Sequence, residues 1–112
     1  MGLDISLHVD VDTGGKEPYG VRLADKNITH NVSPMWSKAG VYEALYESEG
    51  TRAQQWLDVL RAGVADMEQK PAEYEALNSP NGWGLYENAL PWLTDWLAAC
   101  EAHPLAIIHV WA

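Results

Sequence analysis

The sequence predicts an α+β domain of two layers: a three-stranded antiparallel sheet, hairpin plus C-terminal strand, covered by about three or four helices. Three observations predict it. Apolar and polar residues alternate strictly over 3–12, a turn-rich gap leads into a second alternating run, and a branched apolar run closes the chain after a long stretch of helical periodicity. With every helix between the hairpin and the last strand, the helices fall on one face of the sheet.

Leu3, Ile5, Leu7, Val9 and Val11 alternate with Asp4, Ser6, His8, Asp10 and Asp12, the period of a half-buried strand. Residues 13–18, with Gly14, Gly15 and Pro18, form a turn. Tyr19, Val21 and Leu23 then alternate with smaller or charged residues, so a second strand over about 19–25 completes the hairpin and sets Arg22 across from an aspartate of the first.

Ser33 and Pro34 mark a helix start, with Ser33 as cap and Pro34 in the first turn. A short helix runs to Gly40, and another turn or two covers 41–46. Thr51 is placed to cap the next helix, where Ala53, Trp56, Leu57, Leu60, Val64 and Met67 recur at helical spacing to about residue 70. Gly63 lies on that stripe. A glycine there costs about 1 kcal/mol against alanine, which implies close approach of another element. Pro71 ends this helix or opens a short one over 72–77, and 78–82 is a loop. A last helix covers roughly 84–102, with Tyr86, Leu90, Leu93, Leu97 and Cys100 on one stripe and Trp92 and Trp96 beside it. Pro91 implies that this helix begins nearer Asn88, or bends. Residues 105–111 are the final strand.

The 112 residues fit a single domain, 1–112, long enough to bury a core without a disulfide or metal staple. Six tryptophans and five tyrosines, with no phenylalanine, supply mainly core. Cys100, the lone cysteine, sits in a helical stripe and fits a reducing compartment. No signal sequence is read at the amino end, and no apolar run approaches the roughly 20 residues that span a bilayer. A cytoplasmic setting without membrane contact is expected.

The formal net charge is −9 and is unevenly placed. Residues 1–40 are nearly balanced, whereas no lysine or arginine follows Lys70. That argues against direct nucleic-acid binding, in which positive charge does most of the attracting. It permits engagement of a basic protein surface, and it also serves solubility alone.

Two polar clusters each precede a helix: Asn27-Ile28-Thr29-His30-Asn31 and Asn81-Gly82-Trp83-Gly84-Leu85-Tyr86-Glu87-Asn88. With the second strand ending near Asp25, the first cluster lies in a loop at a helix entrance. His30 can donate, accept, ligate or transfer a proton near neutral pH. Trp83 and Tyr86 would form an aromatic wall, Glu87 would orient His30 or receive a positive group, and Asn88 would complete a polar floor. The candidate ligand-binding set is therefore Asn27, Thr29, His30, Asn31, Trp83, Tyr86, Glu87 and Asn88. The same residue types also serve as caps and turn fasteners.

Asp4, Asp10, Asp12, His8 and His109 raise the question of a divalent metal. Strand geometry spreads the first four along about 25 Å, so a solvated sheet face is the better reading, and no metal or cofactor is expected. No phosphate loop, dinucleotide fingerprint, CxxC pair, zinc helix or nucleophile elbow is present.

These two motifs, with the amino-terminal hairpin and the Leu97-Ala98-Ala99-Cys100-Glu101-Ala102-His103-Pro104 ending, resemble a family of small proteins from tailed bacteriophages, especially those of actinobacteria, and from bacteria carrying related genes. The resemblance implies action in the cytoplasm of an infected bacterium and supplies no activity. The leading expectation is a small noncatalytic phage-type accessory protein binding a host protein or a small polar ligand. One alternative is a small hydrolase using His30 with Glu87 or Asn31. Another is an acidic homo-oligomer, assembled through Trp92 and Trp96, that engages a basic protein.

Overall fold

A computed structural model describes residues 2–112. The first alternating run forms β1 (Gly2–Val11), its hairpin partner is β2 (Tyr19–Thr29), and β3 (Ile107–Trp111) pairs along the other edge of β1. The sheet order is β2–β1–β3 and both pairings are antiparallel. Five α-helices connect β2 to β3: α1 (Ser33–Ala39), α2 (Tyr42–Tyr46), α3 (Leu57–Gln69), α4 (Pro71–Glu75) and α5 (Tyr86–Ala102). They pack on one face of the sheet, giving the two-layer α+β arrangement that the alternation predicts.

Leu3, Ile5, Leu7 and Ile108 project from the sheet and are fully buried against Met35, Trp36, Leu45, Leu60, Leu93 and Trp96. Each such aliphatic side chain contributes about 1.5–3 kcal/mol through burial. Gly63 has the role that its place on the α3 stripe predicts: a Cβ there would collide with Val41 Cγ1 and stand 3.3 Å from the Ala39 carbonyl oxygen. The end of α1 crosses α3 at that point.

β2 runs four residues past its expected end. Leu7 faces Ala24 while His8 faces Arg22, so Leu23 is an extra, bulged residue. The bulge reverses the phase of the alternation. Tyr19 and Val21 share a face with β1's apolar side before it, and Ala24, Lys26 and Ile28 do so after it. A single alternating pattern therefore stops at the bulge while the strand continues. Arg22 also meets no aspartate of β1; it pairs with Asp25 of its own strand at 3.3 Å, both exposed, worth about 0–1 kcal/mol.

Two expected caps fall elsewhere. A 3-10 turn over His30–Val32 precedes α1, so Thr29 caps that turn and Ser33 is already helical. The Thr51 hydroxyl donates to the Ser48 carbonyl at 2.6 Å and accepts from Trp56 Nε1 at 2.8 Å. The helix entrance belongs to Gln55, whose side-chain oxygen accepts from the Arg52 amide at 2.9 Å. α5 begins at Tyr86 and includes Pro91. The carbonyl that Pro91 cannot serve is that of Glu87, an exposed residue to which water has access.

Trp92 and Trp96 lie inside the protein. Trp92 stacks at a tilt on Trp36, with ring centres 5.6 Å apart. They offer no surface to a second subunit, which corrects the expected homo-oligomer contact. Residues 10–20 of the hairpin are exposed, and the body measures 53 × 27 × 19 Å. Among the described residues no helix is long and apolar enough to cross a membrane.

Candidate functional site

Asn27, Ile28 and Thr29 are the last residues of β2 and not a loop. Asn27 and Thr29 face outward opposite Asp4 and Gly2, while Ile28 turns inward opposite Leu3. Trp92 Nε1 donates to the Asn27 carbonyl at 3.0 Å, fixing this strand end to α5. Thr29 Oγ1 then accepts from the Asn31 amide at 3.3 Å and starts the turn that contains His30.

His30 is half-buried, and its Nδ1 lies 2.8 Å from the Tyr46 hydroxyl. The two rings stack at 5.6 Å, and Tyr46 stacks on Tyr42 at 4.5 Å. Burial, with the neighbouring Tyr42, raises the Tyr46 pKa above the ordinary phenol value, so the His30–Tyr46 bond joins a neutral phenol to the imidazole at physiological pH. Among the described residues no carboxylate bonds His30. Glu87 is exposed in the first turn of α5, where its charge favours the helix dipole.

The second motif is fastened by its own amides. Asn81 Oδ1 accepts from the Trp83 amide at 2.9 Å and from Ser79 Oγ at 2.7 Å, and Asn78 Oδ1 accepts from the Tyr86 amide at 2.7 Å. Gly84 has φ of +107°, a conformation that L side chains rarely adopt. A Cβ on Gly84 would lie 2.7 Å from Asn31 Cβ and 2.9 Å from Asn31 C. The two motifs therefore meet backbone to backbone at Asn31 and Gly84.

That contact leaves Trp83 standing 69 % exposed over the strand end. An open depression of about 560 Å³ is lined by Gly2, the 27–31 run and Trp83. A second, of about 380 Å³, shares Ile28, Thr29 and Trp83 with it and reaches Asn88. Six of the eight expected residues thus fall together: Asn27, Thr29, His30, Asn31, Trp83 and Asn88. Tyr86 does not join them. Its hydroxyl donates to the Met67 carbonyl at 2.7 Å and its ring stacks on Tyr74 at 6.0 Å. Glu87 lines neither depression.

The outer sheet face holds another polar group. His8 and His109, on neighbouring strands, touch with ring centres 4.4 Å apart. His109 Nδ1 lies 3.2 Å from Glu49 Oε2, and His8 Nε2 lies 2.9 Å from Ser6 Oγ. Burial, then the positive potential of His109 and Arg22, lowers the His8 pKa from 6.5. Among the described residues no three His, Cys, Asp or Glu side chains are placed to hold a metal ion. Cys100 is buried, and burial pushes its thiol up to about 12, so it is a core residue and not a nucleophile.

Tyr46 and Gly2 are the site residues that sequence reasoning missed. Tyr46 carries no polar signature beyond its spacing of four from Tyr42 on a five-residue helix. Gly2 matters only through the pairing that sets it opposite Thr29. No protein-family model, curated protein or solved structure matches the chain.

Proposed function

We propose that this chain is a small noncatalytic accessory protein of the phage type that binds a small polar ligand at the junction of its two motifs. One observation carries the reading: the Trp83 backbone is fastened by Asn81 before it and Gly84 after it, with most of its indole in water beside a polar depression. Holding a large aromatic surface in solvent forgoes burial energy of about 1.5–3 kcal/mol, a cost that ligand binding recovers. Concave sites with an apolar wall and a few placed polar groups are the usual form of small-molecule sites.

The hydrolase alternative is disfavoured by the same geometry. A general base needs a substrate proton within hydrogen-bond reach and an orienting partner. One nitrogen of His30 is occupied by Tyr46, and Glu87 does not line the depression. An oligomer built on Trp92 and Trp96 loses support because both are buried. The motif resemblance supports a setting in the cytoplasm of a bacterial host.

The test is native mass measurement of the protein after incubation with a bacterial metabolite extract, run beside Trp83→Ala. The expected result is a retained adduct of small mass on the wild type that the variant lacks. An adduct unchanged by the substitution, or no adduct together with no Trp83-dependent shift in NMR titration at millimolar ligand, overturns the reading.

A further inference from the structure

We infer that the ligand of this junction is a neutral saccharide, laid with one ring face on Trp83 and its hydroxyl edge toward Asn27, Thr29 and Asn31; this rests on the ligand-binding reading given above. The first support is charge. Charged residues make up 21 % of the chain, which carries a net charge of −9. Yet the two joined depressions, bounded by residues 2, 27–32, 82–85 and 88, contain no Asp, Glu, Lys or Arg. An anion would find no lysine or arginine there, only the half-buried His30 ring with one nitrogen held by Tyr46, and would meet the repulsion of the whole molecule. A cation would find no carboxylate in the lining to offset its desolvation, Asp4 lying outside it on the far side of Asn27.

The second support is the kind of polar group present. The Asn27 and Asn31 side chains are exposed and, among the described residues, bond to no protein group. Each amide offers donors and acceptors side by side, which suits hydroxyls, themselves both donor and acceptor. Asn27 and Thr29 project from one strand face two residues apart, a separation of about 7 Å that spans hydroxyls on opposite sides of a hexose ring. The floor between them is bare because Gly2 has no side chain: a Cβ there would press on the Ile28 carbonyl oxygen at 2.8 Å.

The third support is shape. The indole is the one broad exposed platform, and the other aromatic ring of the lining, His30, is half-buried and stacked on Tyr46. A flat heterocycle stacked on it would leave its other π face to water. A pyranose is amphipathic: it sets its C–H face on the indole and keeps its remaining hydroxyls solvated. One open platform implies weak binding, with Kd on the order of 1–10 mM for a disaccharide.

The experiment is a titration of the ¹⁵N-labelled full chain followed by NMR, with cellobiose, maltose and N,N′-diacetylchitobiose as neutral probes. Adenine, glucosamine and glucose 6-phosphate are the comparison set. The expected result is a saturable shift of the Trp83 indole N–H and of the Asn27 and Asn31 side-chain amides with at least one neutral sugar. Trp83→Ala should abolish it and Asn31→Ala should weaken it by about fivefold, with the remaining spectrum unchanged. Glucosamine and glucose 6-phosphate should not saturate. No saturable shift with any neutral sugar to about 100 mM, or tighter binding of adenine than of every sugar, overturns the assignment. If sugars fail while a metabolite adduct still depends on Trp83, the ligand class falls and the binding site stands. If both fail, the site itself falls.

Discussion

The two polar surfaces of this protein are built in opposite ways. On the middle of the outer sheet face polar side chains pair with one another: His8 with Ser6, His109 with Glu49, and Arg22 with Asp25. At the motif junction the polar atoms are spent mainly on the backbone, with Thr29, Asn78 and Asn81 each accepting from a main-chain amide. The first surface is charged and holds these pairs beside exposed Asp4 and Asp10, which among the described residues bond to no side chain. The second is uncharged, is held from behind, and leaves Trp83, Asn27 and Asn31 facing water. A surface that spends its polar groups on fixing the chain while leaving others unpaired has the organisation of a binding site. One whose groups pair among themselves has the organisation of a solvated face.

The strongest way to break this contrast is at Gly84. Gly84→Ala places a methyl against the Asn31 backbone and imposes a left-handed φ on a side-chain-bearing residue. We expect a loss of about 2–4 kcal/mol in chemical denaturation, together with loss of ligand binding. No single substitution among the paired groups of the outer face should cost as much, because exposed pairs contribute about 0–1 kcal/mol each. A denaturation midpoint unmoved by Gly84→Ala would show that the two motifs do not hold each other.

Tyr46→Phe is the next step down. It removes the hydroxyl that meets His30 Nδ1 and keeps the stacked ring. The expected cost is about 1 kcal/mol, read by thermal or urea unfolding, with saturable binding at Trp83 retained but weakened. His30→Ala should lose the stack as well and cost more. If His30 acted instead as an exposed catalytic base, Tyr46→Phe would leave stability unchanged.

The outer face has its own signature, which is pH. The folded-state pKa of His8 lies below 6.5, so the unfolded chain takes up this proton first as pH falls. His8 thus contributes no penalty while neutral in both states, above about pH 6.5. Stability is lost as pH falls from there toward the lowered folded value. His8→Gln should flatten that part of the stability profile and leave the curve above pH 7 in place. A His8→Gln protein that loses as much stability as the wild type through this window would contradict the lowered His8 pKa.

The residue types of the junction were legible in the chain because amides, glycines and an aromatic concentrated in two short runs. Their geometry was less so. The alternation over 19–25 ends at a bulge, and Ala24, Lys26 and Ile28 continue the inner face in the opposite phase with a lysine among them. Lys26 is tolerated there because its amine reaches Asp95 at 3.1 Å and lies over the Trp92 ring, a long-range pairing that no local pattern encodes. Proximity in sequence groups Tyr86 with Trp83. The start of α5 turns it by helical rotation toward α3 and α4, and Trp83 remains outside. The wide apolar girth of α5 was visible, and its cause is plain in three dimensions: Trp92 fills the space between α5, Trp36 and the end of β2.

Trp83→Ala should have the smallest effect on stability and the most specific effect on function. Its indole is 69 % exposed, and its place in the turn is set by its own backbone amide on Asn81 and by Gly84, neither of which needs the ring. Surface truncations of this kind fall within about 0.5 kcal/mol, so the variant should unfold at the wild-type denaturant concentration. The same substitution at Trp96, which is fully buried, should cost about 3–5 kcal/mol. Binding does not follow that order: Trp83→Ala removes the platform from an intact fold, whereas Trp96→Ala weakens the fold beneath it. A Trp83→Ala protein of wild-type stability that binds nothing would separate the junction from the scaffold. One that loses several kcal/mol would show that Trp83 packs as core and that the depression beside it is incidental.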